Sequence, residues 1–304
     1  MRKILRFAGL SLLSMVGLAA AALLLVRFCF REQVVELLNG ELRRERVDLL
    51  RAAAPYAADG AMFEFAYRQD DRRAGEISVY FRLDTLVDAS AATWDKTLAL
   101  ARFVAGNIPH ANQTVQPETR NAVALWEYTR TVEPAFTCRL HSIMLHELLL
   151  ASGVVNRFVT CMPADAGDND CHVVNVVWLP EHGKWAMIDS DMQAWVADEQ
   201  GVPLSLAEMR ERYIAGEPMT VHPLLDGWNP SYYESYWAKN LYWFECWECA
   251  GYDREVGFEG RRVALLPPGF DGFRLSDGTV CTTDAARFWE APRQIQNSEF
   301  KIQN

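Results

Sequence analysis

The chain has 304 residues, half of them apolar, with a formal net charge of −10. That length suffices for one large domain or two small ones with a real hydrophobic core. The acidic balance argues against nucleic acid as a partner, which would need a basic surface, and zinc-finger spacing, phosphate loops and dinucleotide glycine fingerprints are absent from the sequence.

The N-terminus opens on Arg2, Lys3 and Arg6, followed by an uncharged run from Ala8 to Val26. As a helix that run is about 28 Å long, close to the thickness of a bilayer's hydrocarbon layer. It exceeds the apolar stretch of a cleaved signal, and Ala19–Ala22 lead into Leu23, Leu24, Leu25 and Val26 instead of polar sequence. The expectation is an anchor or signal segment over residues 1–30, with an uncleaved transmembrane helix touching the membrane through residues 8–26. Arg27 and Arg31 flank the far side, so basic residues give no strong orientation bias. A short basic tail rarely crosses, which favours an extracytoplasmic domain.

Arg31 to Ala54 alternates charges with Leu38, Leu42 and Leu49, as a helical stalk over residues 31–60 would. Met62–Tyr67 and Ile77–Leu83 alternate like strands around a charged turn, Asp70–Gly75. Trp94–Phe103 has helical spacing, and Ile108–Glu118 reads as loop.

Cys138 begins a strong helical pattern. Leu140, Met144, Leu148 and Ala151 form a stripe that Ile143 and Leu150 widen and Glu147 interrupts. Thr137 is placed to cap its start and Gly153 to end it. The positive end of the helix dipole favours a thiolate at Cys138, as a nucleophilic cysteine requires. A cysteine packed as a small hydrophobe would have the same local pattern.

Next come the β-branched run Cys171–Leu179, the turn Pro180-Glu-His-Gly183 and a second run, Lys184–Met192. They read as a hairpin in which Leu179 faces Lys184. Alternation then puts His172, Asp189 and Asp191 on one face, with Asp189 diagonal to His172 and able to hold its ring. A strand histidine and a strand-end aspartate are the plain alternatives.

Of the seven cysteines, Cys246 and Cys249 have CxxC spacing, a weak zinc signal alongside Cys161, Cys171 or His222. Cys161 and Cys171 flank an acidic loop, where a disulfide fits an oxidising compartment and Asp165, Asp168 and Asp170 faintly suggest calcium. His141 and His146 read as surface or packing residues. Aromatic residues crowd Trp228–Trp247, where core packing competes with a substrate platform built on Trp237 and Trp243.

Taken together, the cysteine helix and the hairpin resemble the transglutaminase-like superfamily, a branch of the papain-like cysteine protease fold. His172 begins its strand, Asp189 follows Trp185 by four residues in Trp185-Ala-Met-Ile-Asp189, and Arg157 matches an arginine often found after the helix. The match spans about residues 90–200. Ala135-Phe-Thr-Cys138 lacks the glycine that often precedes the family's cysteine.

The resemblance implies an α+β fold with a transglutaminase-like core over residues 61–200, its cysteine helix packed on an antiparallel sheet. Residues 201–293 form an aromatic-rich extension and 294–304 a tail. It also implies a Cys138–His172–Asp189 triad cleaving or transferring amides of peptides, proteins or the cell envelope, with Asp191 as the alternative acid. Asn112, Gln113 and Trp94 are candidates for the oxyanion hole. No cofactor or metal is implied, and oligomeric state is left open. The rival expectation is an inactive domain that binds protein or glycan.

Overall fold

The computed structural model describes residues 15–19, 27, 29–228, 232–255, 260–293 and 295–297. Its helices are α1 (Arg31–Ala52), α2 (Asp71–Phe81), α3 (Leu83–Leu86), α4 (Thr93–Asn107), α5 (Ala122–Thr131), α6 (Cys138–Ala151), α7 (Leu206–Ala215), α8 (Tyr233–Asn240) and α9 (Ala285–Phe288). The strands are β1 (Ala66–Gln69), β2 (Asn156–Met162), β3 (His172–Leu179), β4 (Lys184–Ile188), β5 (Ala194–Ala197), β6 (Thr220–Pro223), β7 (Trp243–Trp247), β8 (Cys249–Ala250), β9 (Arg262–Leu265), β10 (Val280–Thr282) and β11 (Ile295–Asn297).

Six strands form the main sheet in the order β10-β9-β7-β2-β3-β4. It is antiparallel from β9 to β4, but β10 runs parallel to β9, so the sheet is mixed. Both faces are covered, so β2 and β3 are buried along almost their whole length, polar residues such as Asn156, Arg157 and Asn175 included. Alternation splits β3 cleanly. Val173 and Val177 join the core with Leu140, Met144 and Leu148 of α6, whereas Val174 and Val176 join Leu206 and Met209 of α7 and Trp237 of α8. Strands β7, β9 and β10, drawn from residues after 200, extend the same sheet.

Helix α6 is enclosed by β2 and β3 on one side and by α2, α4 and α5 on the others. Every residue from Leu140 to Leu150 is therefore buried, including Ser142, His146 and Glu147. These three polar side chains are each hydrogen-bonded. Ser142 Oγ donates to the Val173 carbonyl at 2.8 Å, and Asn175 Nδ2 donates back to the Ser142 carbonyl at 3.0 Å. His146 Nδ1 and Asn156 Oδ1 meet at 2.7 Å. Glu147, the interruption in the apolar stripe, accepts from the backbone N–H groups of Ala122 and Asp253, both at 2.8 Å. These bonds fix α6 in both position and rotation relative to β2 and β3.

Gly153, at φ +76°, ends α6 with a paired closure. Its N–H donates to the Leu150 carbonyl and the Val154 N–H to the Leu149 carbonyl, both at 2.9 Å. At the other end Thr137 occupies the capping position, but its side chain makes no capping bond.

Three expectations are corrected. Residues 77–83 are not a strand. Asp70 caps α2 by accepting from the Arg73 N–H, and Ile77 and Phe81, one turn apart, are buried while Val79 points outward. The sheet is mixed, not antiparallel throughout, so the fold is mixed α/β. Finally, among the described residues no helix is long and apolar enough to cross a membrane. The transmembrane helix expected over residues 8–26 has no counterpart there, and only 15–19 of that run are among the described residues.

Helix α1 packs on the body along its second half. Val47 and Leu50 are buried, Arg43 pairs with Glu234 at 2.6 Å, and Arg46 and Arg51 each donate at 2.8 Å to the carbonyls of Ser235 and Ile214.

Candidate active site

Cys138 opens α6 and is half-buried, with the unpaired N–H groups of the first helical turn around it. His172 opens β3, opposite Cys161 of β2 in the sheet register. Asp189 follows β4. The hairpin register is the one the loop length requires, with Leu179 facing Lys184 and regular pairing as far as Asn175 and Ile188.

Beyond Ile188 the chain turns sharply. Asp189 bridges Ala194 through two backbone bonds of 3.1 and 3.0 Å, and its Oδ1 accepts from the Met192 N–H at 2.9 Å. The turn closes through Gln193 at φ +57°. Oδ2 of Asp189 is thereby left facing His172, whose Nε2 lies 2.7 Å away, and both side chains are buried. With Nε2 committed to Asp189, Nδ1 is the ring nitrogen left to serve Cys138. Burial works against a charged ring, but the Asp189 carboxylate, its hydrogen bond and the neighbouring Cys138 outweigh it and hold the His172 pKa well above the usual histidine value.

Asp191 takes a different place. Its Oδ1 lies 2.8 Å from Nδ1 of His110 and 3.5 Å from Nε2 of His141. One oxygen of Asp191, one ring nitrogen of His172 and the Cys138 sulfur all lie within 4.8 Å of one another. Burial would raise the Asp191 pKa, yet His110, His141 and His172 bring it below the ordinary carboxylate value. Bonding to Asp191 raises the pKa of His110, whereas burial lowers that of His141. Neither ring nitrogen of the buried His141 has a hydrogen-bond partner.

The segment carrying His110 is strapped to the residues before Cys138. His110 bridges Phe136, the Phe136 N–H donates to the Pro109 carbonyl at 3.0 Å, and the Ala111 N–H donates to the Phe136 carbonyl at 2.8 Å. Gln113 belongs to this strap, its Nε2 donating at 2.8 Å to the carbonyls of both Ala111 and Ala135. Its amide hydrogens are thus committed to backbone, which removes it as an oxyanion donor. Asn112 is exposed beside it. Trp94 meets Trp195 edge-on at 5.3 Å, with its buried indole N–H unpartnered.

The wall behind His172 is aromatic. The rings of Tyr236 and Trp237 both stand edge-on to it at 5.3 Å. Trp237 and Trp243 are fully buried, so the expected substrate platform is corrected: they are packing residues. Tyr236 also bonds Asp170 and the Cys171 carbonyl, while Lys239 pairs with Asp168 and Asp170, both at 2.9 Å. The acidic loop is thus occupied by a lysine. All seven cysteines are free, including Cys161 and Cys171. Buried Arg157 spans Phe65, Trp185, Phe288 and Trp289, its guanidinium carbon 4.1 to 5.2 Å from the four ring centres.

No family model and no curated protein matches the chain. Two solved structures are similar to part of it. A candidate cysteine protease from Cytophaga hutchinsonii is 15% identical over 42% of each chain, with a TM-score of 0.26. A candidate protease from Parabacteroides distasonis is 18% identical over 39% of this chain and 25% of its own, with a TM-score of 0.27. The chain spans about two fifths and a quarter of their respective lengths.

Sequence reasoning missed His110 and the contacts of His141. His110 meets its partner 81 residues away and lies in a loop without periodicity, so no local signal marked it.

Proposed function

We propose that this chain is a cysteine-dependent acyl-transfer enzyme of the transglutaminase-like kind, acting on an amide of a peptide, a protein or the cell envelope. One observation carries the reading. A buried histidine bonds a buried carboxylate through Nε2, at 2.7 Å, and a ring nitrogen of that histidine lies within 4.8 Å of the sulfur of a cysteine at a helix N-terminus.

The Cys138 thiolate attacks the amide carbonyl carbon, forming a C–S bond and an oxyanion. The Cys138 N–H, at the first helical position and so without an intrahelical partner, is the donor that stabilises that charge. His172 in its charged form donates its proton to the amide nitrogen as the C–N bond breaks, and the amine leaves. Water or an amine then attacks the thioester and gives a proton to the now neutral His172. The C–S bond breaks and the thiolate returns. Asp189 keeps the ring oriented and compensates its charge throughout.

The test is competitive alkylation. Under limiting iodoacetamide near neutral pH, Cys138 should label ahead of the other six thiols, and hydrolysis of a simple activated ester should disappear in Cys138→Ala. Labelling of Cys138 no faster than the other thiols would overturn the enzyme reading and leave the inactive binding domain.

A further inference from the structure

The amide chemistry assigns no step to Asp191. It is nevertheless buried beside the nucleophile, and among the described residues its ion-pair partners are histidines only. A buried carboxylate needs compensating charge or hydrogen bonds. Both histidine contacts fall on Oδ1, and neither uses Oδ2.

We propose that Cys138, His172 and Asp191 form a zinc site, and that zinc there reversibly blocks the nucleophile. The donor set is one sulfur, one nitrogen and one oxygen, a mixture that suits zinc and not magnesium or calcium. The three donor atoms already lie within 4.8 Å of one another, so a contraction of about 1 Å brings them to the edge lengths of a zinc tetrahedron. Water takes the fourth position.

The surroundings are built for it. Metal-bound histidines usually donate their other ring N–H to a carboxylate, which fixes the tautomer. The bond from His172 Nε2 to Asp189 supplies that arrangement and leaves Nδ1 for the metal. His110 and His141 flank Oδ1 of Asp191, and His141 is a buried ring without a hydrogen-bond partner, 3.5 Å from the proposed ligand. Coordination takes the sulfur lone pair that attacks the carbonyl. It also requires neutral imidazole and thiolate, so the proton shared by Cys138 and His172 is released to solvent.

The metal site stands on geometry alone, whereas its role as a block rests on the amide-transfer reading. The experiment separates them. Zn²⁺ is titrated into the reduced full chain against a chromogenic chelator, and Co²⁺ is used to detect a thiolate charge-transfer band. One equivalent should bind, and Cys138→Ala and Asp191→Asn should each weaken binding by at least about tenfold. In the unmutated protein, which carries no folding risk, one equivalent should slow iodoacetamide labelling of Cys138 by at least about tenfold, reversed by chelation.

Equal Zn²⁺ affinity in either variant overturns the metal site, and unslowed labelling of a reactive Cys138 overturns the block. A reactive Cys138 indifferent to Zn²⁺ sinks this inference and leaves the enzyme reading standing. An unreactive Cys138 that binds Zn²⁺ together with Asp191 does the opposite.

Discussion

Oδ2 of Asp189 and Nε2 of His172 lie 2.7 Å apart, with both side chains shut off from solvent. The carboxylate therefore acts at low dielectric, where its effect on the ring is large. Asp189→Asn should retain the shape and lose the charge, lowering ester turnover and Cys138 alkylation by about 10³-fold or more. The sign with pH follows. A histidine whose pKa is raised on folding adds stability below its unfolded value of about 6.5, lost as pH rises through the folded value. Thermal midpoints measured upward from pH 6.5 should fall more steeply in the parent than in Asp189→Asn.

His110 should report on Asp191. Its raised pKa is caused chiefly by that hydrogen bond. In Asp191→Asn the His110 ring should titrate at lower pH than in the parent, followed by the NMR shift of its ring protons. An unchanged titration would mean that the contact is absent in solution.

Glu147 gives a stability effect remote from Cys138. Burial pushes its pKa up to about 7, against the two backbone N–H groups it accepts from. The fold then binds the proton more tightly than the unfolded chain does. The contribution is complete below about pH 4.5 and is lost as pH rises through about 7, worth on the order of 3 kcal/mol. Denaturant titrations across that window should show the decline in the parent, and Glu147→Gln should flatten it whatever its offset.

Trp237 fills the space behind His172. Trp237→Ala should destabilise the protein by about 3–5 kcal/mol. Trp237→Phe should cost less, yet still slow Cys138 alkylation, because the ring edge that supports the imidazole recedes. Full reactivity in Trp237→Phe would show that Asp189 alone sets the ring.

What was legible in the sequence was local. The Cys138 helix followed from a helical period interrupted only at Glu147 and from a terminal glycine, and the hairpin register from the loop between Leu179 and Lys184. Residues 77–81 satisfied two periods at once, since Ile77, Val79 and Phe81 alternate while Ile77 and Phe81 are also a turn apart. The Asp70 cap and the pairs of Arg72 and Arg73 with Glu76 support the helix. The spacing from Trp185 favoured Asp189 over Asp191, and the physical reason is a turn through Gln193 that sends one towards His172 and the other towards His110. The strap joining His110 to Phe136, and the bonds tying Ser142 to Val173 and Asn175, join distant parts of the chain and leave no periodic trace.

Helix α1 grips α8 through Glu234 and Ser235, and one turn further along α8 the Trp237 ring rests on His172. The N-terminal helix and the aromatic wall behind His172 are thus joined parts of one packed unit.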